Sequence, residues 1–237
     1  MGTNSSEFVT LIGEENCDHW PTVGKSPGCH KPQKEYQKHA WGVAMNRALE
    51  HACWSNALQS QLGSMVLASN PSSATGSWYT HFDNSINPNG PKIGAQWLSA
   101  NIQYTPDKTI VQPPMHAQSM IGNSQLPHSV RITASGGVPS VNFSLAALAS
   151  ADGKHVTVRA VNLNATAVTA AVQVDGDNWA GTRIVLSGAL DAHNTPTDPN
   201  AVVPNETQVS AQQLRQGVVF GAHSFTVLQL NRSAELE

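Results

Sequence analysis

Two adjacent carboxylates, Glu14 and Glu15, follow directly on the short apolar run VTLIG, Val9 to Gly13. An apolar run without alternation has the character of a strand buried on both faces of a parallel sheet. In barrels of alternating strands and helices the catalytic groups collect at the C-terminal ends of such strands. Glu14 and Glu15 are therefore candidate catalytic groups, with a solvated turn as the competing reading. Close by come Cys17, His19, Cys29 and His30. Thiolate and imidazole suit zinc, but this spacing matches no common finger, and a free thiol pair or a Cys17–Cys29 disulfide competes with it. No metal and no cofactor are expected. His81 with Asp83, and His116 or His128, have the chemistry of a base near neutral pH, although lone histidines are more often ordinary surface or helix residues. Trp78, Tyr79, His81, Phe82 and Asp83 stand together in a segment, 70–94, rich in Asn, Pro, Gly and Ser. Their rings read either as a wall that stacks on the C–H side of a sugar or as the loop's own small core. No Gly-x-Ser-x-Gly, phosphate loop or dinucleotide fingerprint is present.

These residues need elements to hold them. Between Cys17 and Gln33, Pro21, Gly24, Pro27, Gly28 and Pro32 enforce a loop. From about Lys34 to Leu62 the spacing of Trp41, Met45, Ala48 and Ala52 is helical, and Gly63 suits the C′ position. SMVLAS, Ser64 to Ser69, reads as a further buried strand, so strand, loop, helix and strand make one βαβ-type unit. Pro113 and Pro114 suit the first turn of a last helix ending near Gly122. From Leu126 onward the period is that of strands: SVRITAS, VNFSLAALAS, HVTVRAVNL, AVTAAVQVD, TRIVLSG, QVSAQQL and VVFGAHSFTVLQL, punctuated by Asp152-Gly153 and Asp175-Gly176. In HVTVRAVNL, His155, Thr157, Arg159 and Val161 share one face and Val156, Val158, Ala160 and Asn162 the other, with one side expected to be core. Asp191 to Val209 is a turn-rich excursion in which Pro196, Pro199 and Pro204 forbid a helix. Its Val and Ala content argues for order.

A chain of 237 residues, 40% hydrophobic and 12% charged, has material for one or two domains and a sizeable core. A net charge of −3 without a Lys/Arg cluster argues against a nucleic-acid partner. No apolar run approaches the ~20 residues of a membrane span, so no membrane partner is expected. Residues 1–8 and 235–237 are expected to be cloning-derived. Three cysteines are few and odd in number for a secreted disulfide framework. Asn142, Asn164, Asn205 and Asn231 head N-x-[ST] sequons, which matter only in a secretory pathway. The localisation is left open by these features.

The excursion DAHNTPTDPNAVVP and the final strand HSFTVLQL together resemble the end of the C-terminal β-sandwich of α-L-arabinofuranosidases of glycoside hydrolase family 51. The matching residues are Asp191, Asn194, Pro199, Val202 and Pro204, then His223, Ser224, Phe225, Thr226, Val227 and Leu228. The segment Val9 to Gly122 is similar to the same family through L-I-G-E, NRALEHACWSNALQ, SMVLAS, QYTPD and PMHAQSM. The resemblance implies that Glu14 is the nucleophile, or Glu15 if the register shifts by one. Where the family carries an aromatic or small residue after the nucleophile, this chain has Glu15. Retaining hydrolysis needs a second carboxylate ~5–5.5 Å away as acid and base. In the family that glutamate follows an Asn upstream of the nucleophile, but the sole Asn-Glu here is Asn205-Glu206.

The expected fold class is therefore α/β plus all-β: a partial (β/α) barrel-like segment over 9–126 followed by an antiparallel β-sandwich over 127–232. A complete barrel takes ~200–250 residues, about twice what precedes the sandwich. The resemblance implies a carbohydrate-active protein that hydrolyses α-L-arabinofuranosides or related glycosides with retention, weakly because the acid/base half of the site is missing. The partner would be an arabinose-containing glycan. The alternative is a non-catalytic sugar-binding or structural module, in which Trp78, Tyr79 and Trp97 stack on sugar. A broken barrel exposes strand edges and apolar helix sides, so a homo-oligomer is expected.

Overall fold

β-Branched and alternating residues beyond Leu126 do form strands, and their pairing creates a sheet that is buried on both sides. The structure is a computed structural model; it describes residues 44–62, 75–77, 101–136, 142–176 and 178–232, with backbone alone for 60–62 and 75–77. In chain order the elements are α1 (Met45–Leu62), β1 (Thr75–Ser77), β2 (Ile102–Tyr104), β3 (Thr109–Val111), α2 (Pro113–Asn123), β4 (His128–Val130), β5 (Phe143–Ala149), β6 (His155–Asn162), β7 (Val168–Ala170), β8 (Trp179–Ser187), β9 (Asn205–Val209), α3 (Ala211–Gln216), β10 (Val218–Phe220) and β11 (Ser224–Arg232). The main sheet is antiparallel, in the order β4-β5-β6-β11-β8-β9. A second layer pairs β10 with β7. A third sheet runs β1-β2-β3, with β1 parallel to β2 and β3 antiparallel to it. None of the sheets closes into a barrel among the described residues.

Because strand side chains alternate, the register assigns each residue of the main sheet to a face. Val161 of β6, Phe225 and Val227 of β11 and Leu186 of β8 lie on the face that meets α1 and α2, packed with Met45, Ala48, Leu49, Ala52, Ala117 and Met120. The opposite face carries Val156, Ala160, Leu228, Leu230 and Trp179 against Val218 and Phe220 of β10 and Leu214 of α3. Phe143 and Phe220 meet edge to face there, ring centroids 5.5 Å apart. The helical spacing of Met45, Ala48 and Ala52 is borne out, each being fully buried, as is the proline-led start of α2. Gly153 and Gly176 both adopt positive φ in the two Asp-Gly turns.

Four expectations are corrected. HVTVRAVNL is core on both sides, Thr157, Arg159 and Val161 being as buried as Val156 and Ala160, because β6 is an inner strand with layers above and below. QVSAQQL is not one strand: β9 stops at Val209 and α3 begins behind Ser210. The Ser210 hydroxyl accepts from Gln213 N, and the Gln213 side chain accepts from Ser210 N, a reciprocal cap that outweighs continued pairing. VVFGAHSFTVLQL breaks at Gly221–His223, where His223 has φ 42°, and sends β10 to the outer layer and β11 to the middle of the main sheet. SVRITAS and AVTAAVQVD pair only over His128–Val130 and Val168–Ala170. The expected strands VTLIG and SMVLAS, the helix before Ala44 and the Gly63 cap lie outside the described residues. No described helix is long and apolar enough to cross a membrane.

Arg159 is the largest side chain buried completely in this core. It projects from β6 into the end of α2, where Nη2 donates to Ile121 O (2.7 Å) and to Gln125 Oε1 (3.0 Å), and Nε donates to Ser124 Oγ (2.9 Å). A more distant donation reaches Ser55 Oγ of α1 at 3.5 Å. The last carbonyls of a helix lack partners and carry the negative end of its dipole, so a cation there is favoured. Burial pulls the guanidinium pKa down to about 10, which still leaves it charged at neutral pH. Arg159 thus fastens α2 to the sheet with neutral oxygens. We expect Arg159→Leu to lower the folding stability by about 3 kcal/mol, the scale of one or two charge-assisted hydrogen bonds. Arg159→Lys should recover less than half, since one ammonium cannot span these acceptors. Urea midpoints for the two variants measure this, and an unchanged midpoint for the leucine variant contradicts it.

Candidate functional site

The residues with the strongest chemical signal in the sequence, Glu14, Glu15, Trp78, Tyr79, His81, Asp83 and Trp97, lie outside the described residues, as do Cys17, His19, Cys29 and His30. What the structure brings together is the frame beside them in the chain. β1 ends at Ser77, the residue before Trp78, and runs parallel to β2, so the C-terminal ends of both strands point the same way. That end of a parallel pair is where α/β folds present their sites. β2 ends there in Tyr104, an aromatic ring about half exposed. Sequence reasoning passed over Tyr104, although an aromatic immediately before the turn Thr105-Pro106-Asp107 was the available signal.

The turn after Tyr104 is rigidly built. Thr105 N donates to Lys108 O at 2.8 Å, and the Thr105 hydroxyl donates to Asp107 Oδ1 at 2.7 Å while accepting from Lys108 N at 3.0 Å. The hydroxyl, more than any charge, holds the exposed Asp107 carboxyl below its ordinary pKa, so it is an ionised acceptor at neutral pH. Lys108 Nζ donates to Pro196 O at 2.8 Å and ties the turn to the excursion after β8. Among the described residues no three His, Cys, Asp or Glu groups gather as metal ligands.

The excursion is seated by amides. Gln112, the residue before α2, and Asn194 are both fully buried. Gln112 Nε2 donates to Asn194 O (2.9 Å) and Gln112 Oε1 accepts from Asn194 N (3.0 Å), so a side chain reproduces one rung of a β-ladder. The Asn194 side chain donates to Val111 O (2.7 Å) and Val202 O (2.9 Å) and accepts from Val202 N (2.7 Å). Two residues earlier, Ala192 O accepts from Met45 N and Leu190 O from Asn46 N, both at 2.9 Å, which satisfies the first donors of α1. The loop is therefore ordered, and it holds the starts of both helices beside the sheet.

His51, Cys53 and His116, on α1 and α2, are shifted by burial toward their uncharged forms. Burial, and then the neighbouring Arg47, push the His51 pKa down to about 3, and neither ring nitrogen has a hydrogen-bond partner. Burial also lowers His116, whose Nε2 is unpartnered. His128 is exposed on the edge strand β4. Among the described residues neither His116 nor His128 is hydrogen-bonded to a carboxylate. Cys53 is a free thiol pushed up to about 11, by burial first and Glu50 second. It is protonated and a poor nucleophile near neutrality.

No known family profile and no curated protein matches the chain. Solved structures do. An arabinose-bound α-L-arabinofuranosidase of glycoside hydrolase family 51, MgGH51, superposes with a TM-score of 0.63 at 18% identity over 81% of this chain and 28% of its own. The arabinose complex of the Thermotoga maritima α-L-arabinofuranosidase gives 0.55 at 18% identity over 77% of this chain and 38% of its own. A family 86 β-porphyranase from Bacteroides plebeius gives 0.54 at 14% identity, over 81% and 31%. The resemblance to family 51 read from the sequence is thus met by a shared fold. The chain spans about a third of the length of these structures.

Burying neutral His51 links stability to pH. Its folded pKa, about 3, lies below the ordinary 6.5, so the unfolded chain binds more protons between those values. The contribution of the neutral ring is complete above pH 6.5 and is lost as pH falls toward 3, at up to about 1.4 kcal/mol per pH unit. In urea titrations from pH 7 to pH 4, His51→Leu is expected to have a flatter decline than the wild type. Parallel declines would show that His51 is not buried uncharged.

Proposed function

We propose that this is a carbohydrate-active protein of the α-L-arabinofuranosidase type. In this reading the β1–β2 pair with α1 and α2 belongs to a partial (β/α) barrel-like segment, residues 9–126, joined to a β-sandwich, residues 127–232. The observation that carries the reading is the superposition on an arabinose-bound family 51 enzyme across four fifths of the chain, together with the sequence likeness at Asn194 and along β11. Glu14 is the proposed nucleophile, with Glu15 in its place if the register shifts. Trp78, Tyr79 and Trp97 would stack on the sugar, while His81 and Asp83 would hydrogen-bond it. An arabinose-containing glycan is the proposed substrate, cleaved with retention through a glycosyl-enzyme ester on Glu14.

No Asn-Glu pair stands upstream of Glu14 in these residues, and within them Glu15 and Asp83 are the proposed candidates for the second carboxylate. General acid catalysis is worth roughly 10²–10⁴-fold, so turnover should fall short of a complete site by that order. A second reading, a sugar-binding module that needs no carboxylates, rests on Trp78, Tyr79 and Trp97 as stacking residues. Hydrolysis of 4-nitrophenyl α-L-arabinofuranoside by wild type and Glu14→Gln separates the two. The enzyme reading expects slow turnover that the substitution abolishes. Identical background rates with retained binding to arabinan would leave only the module.

We further propose that the chain self-associates. Trp54 of α1 is 46% exposed and β4 is an edge of the main sheet, features that association covers. Sedimentation at micromolar concentration is expected to show a species heavier than the 25.2 kDa monomer, and a lone monomer peak would refute it.

A further inference from the structure

Five Asn-x-Ser/Thr sequons occur in this chain, headed by Asn4, Asn142, Asn164, Asn205 and Asn231, and the fold distinguishes Asn164, Asn205 and Asn231 from one another. An N-linked glycan needs an asparagine amide free of other bonds, a hydroxyl two residues on, and open space for a large hydrophilic branch. Asn164 fails these requirements. Its Nδ2 donates to Asn162 Oδ1 at 2.9 Å and approaches Asn142 O at 3.5 Å, and its backbone N donates to the same Asn162 oxygen. Asn162 is itself completely buried and donates to Gly221 O and Thr166 O, so Asn164 is part of the packing at that end of the sheet. The Asn231 Oδ1 is engaged by His155 Nδ1 at 2.7 Å, on a strand flanked by β6 and β8.

Asn205 differs from Asn164 and Asn231 in the freedom of its side chain. It opens β9, the outermost strand of the main sheet, and Asn205, Glu206, Thr207 and Gln208 are all exposed. Among the described residues the Asn205 side chain makes no hydrogen bond. The register places Asn205 opposite Val185 and Thr207 opposite Arg183, so the acceptor amide and the sequon hydroxyl share one face of an extended strand. We propose that Asn205 is an N-glycosylation site of this chain when it is made in a secretory compartment, and that Asn164 in the folded protein is not. In the transfer, Asn205 Nδ2 bonds to the anomeric carbon of a lipid-diphosphate-linked oligosaccharide. The anomeric C–O bond breaks, the lipid diphosphate leaves with the electron pair, and the amide proton is released to solvent.

The position also has a structural consequence. A free edge strand offers unpaired backbone groups to other chains, and β9 carries a single charge over its five residues, Glu206. A glycan rooted at Asn205 would shield that edge.

The test is production of the full chain behind a signal peptide in yeast, followed by intact mass with and without peptide N-glycosidase F. Peptide mapping with deglycosylation in heavy-oxygen water locates each occupied asparagine, in the secreted fraction or, if none is secreted, in the cell-retained chain. A glycan on Asn205 that disappears in both Asn205→Gln and Thr207→Ala, with Asn164 unmodified in soluble folded protein, is expected. An unmodified Asn205, or a glycan on Asn164 in folded protein, overturns the proposal.

Discussion

The fold depends on how two short helices are held against a sheet that must also be covered from behind. Helices of this kind contribute little stability alone, and their ends leave donors and acceptors unmet. Arg159 resolves one end by delivering a cation from the middle of β6 to the Ile121 carbonyl and the Ser124 hydroxyl at the end of α2. Its charge faces neutral oxygens and a helix terminus, so burial is compensated by several bonds that must all be present together.

The other ends are met by the excursion after β8. Leu190 and Ala192 carbonyls receive the first donors of α1, while Asn194 and Gln112 lock the same loop to the start of α2. Three helix ends are thus tied to the sheet or its connecting loop by polar groups in an otherwise apolar interface, in which Met45, Leu186, Phe225 and Val202 supply the burial. The loop that most resembles family 51 is therefore a structural clasp.

Function in such an arrangement is displaced from stability. The buried His51 and the half-buried His116 and Cys53 are kept uncharged by their surroundings, and Arg159 is committed to α2. The chemistry proposed for Glu14 and for the aromatics after β1 falls to residues outside those described.

Sequence alone was enough for what local physics governs. Two prolines announced α2, the spacing of Met45, Ala48 and Ala52 announced the buried stripe of α1, and Asp-Gly steps announced turns with positive φ. It also carried the likeness to family 51, at Asn194 and along HSFTVLQL. Only tertiary structure decided which strands lie inside. The two buried faces of β6, the break at His223 that divides β10 from β11, and the demand for Arg159 all follow from layers contributed by residues far away in the chain. Alternation reports a strand's own two sides, but burial is set by what is packed against each of them, and that is a property of the assembled fold.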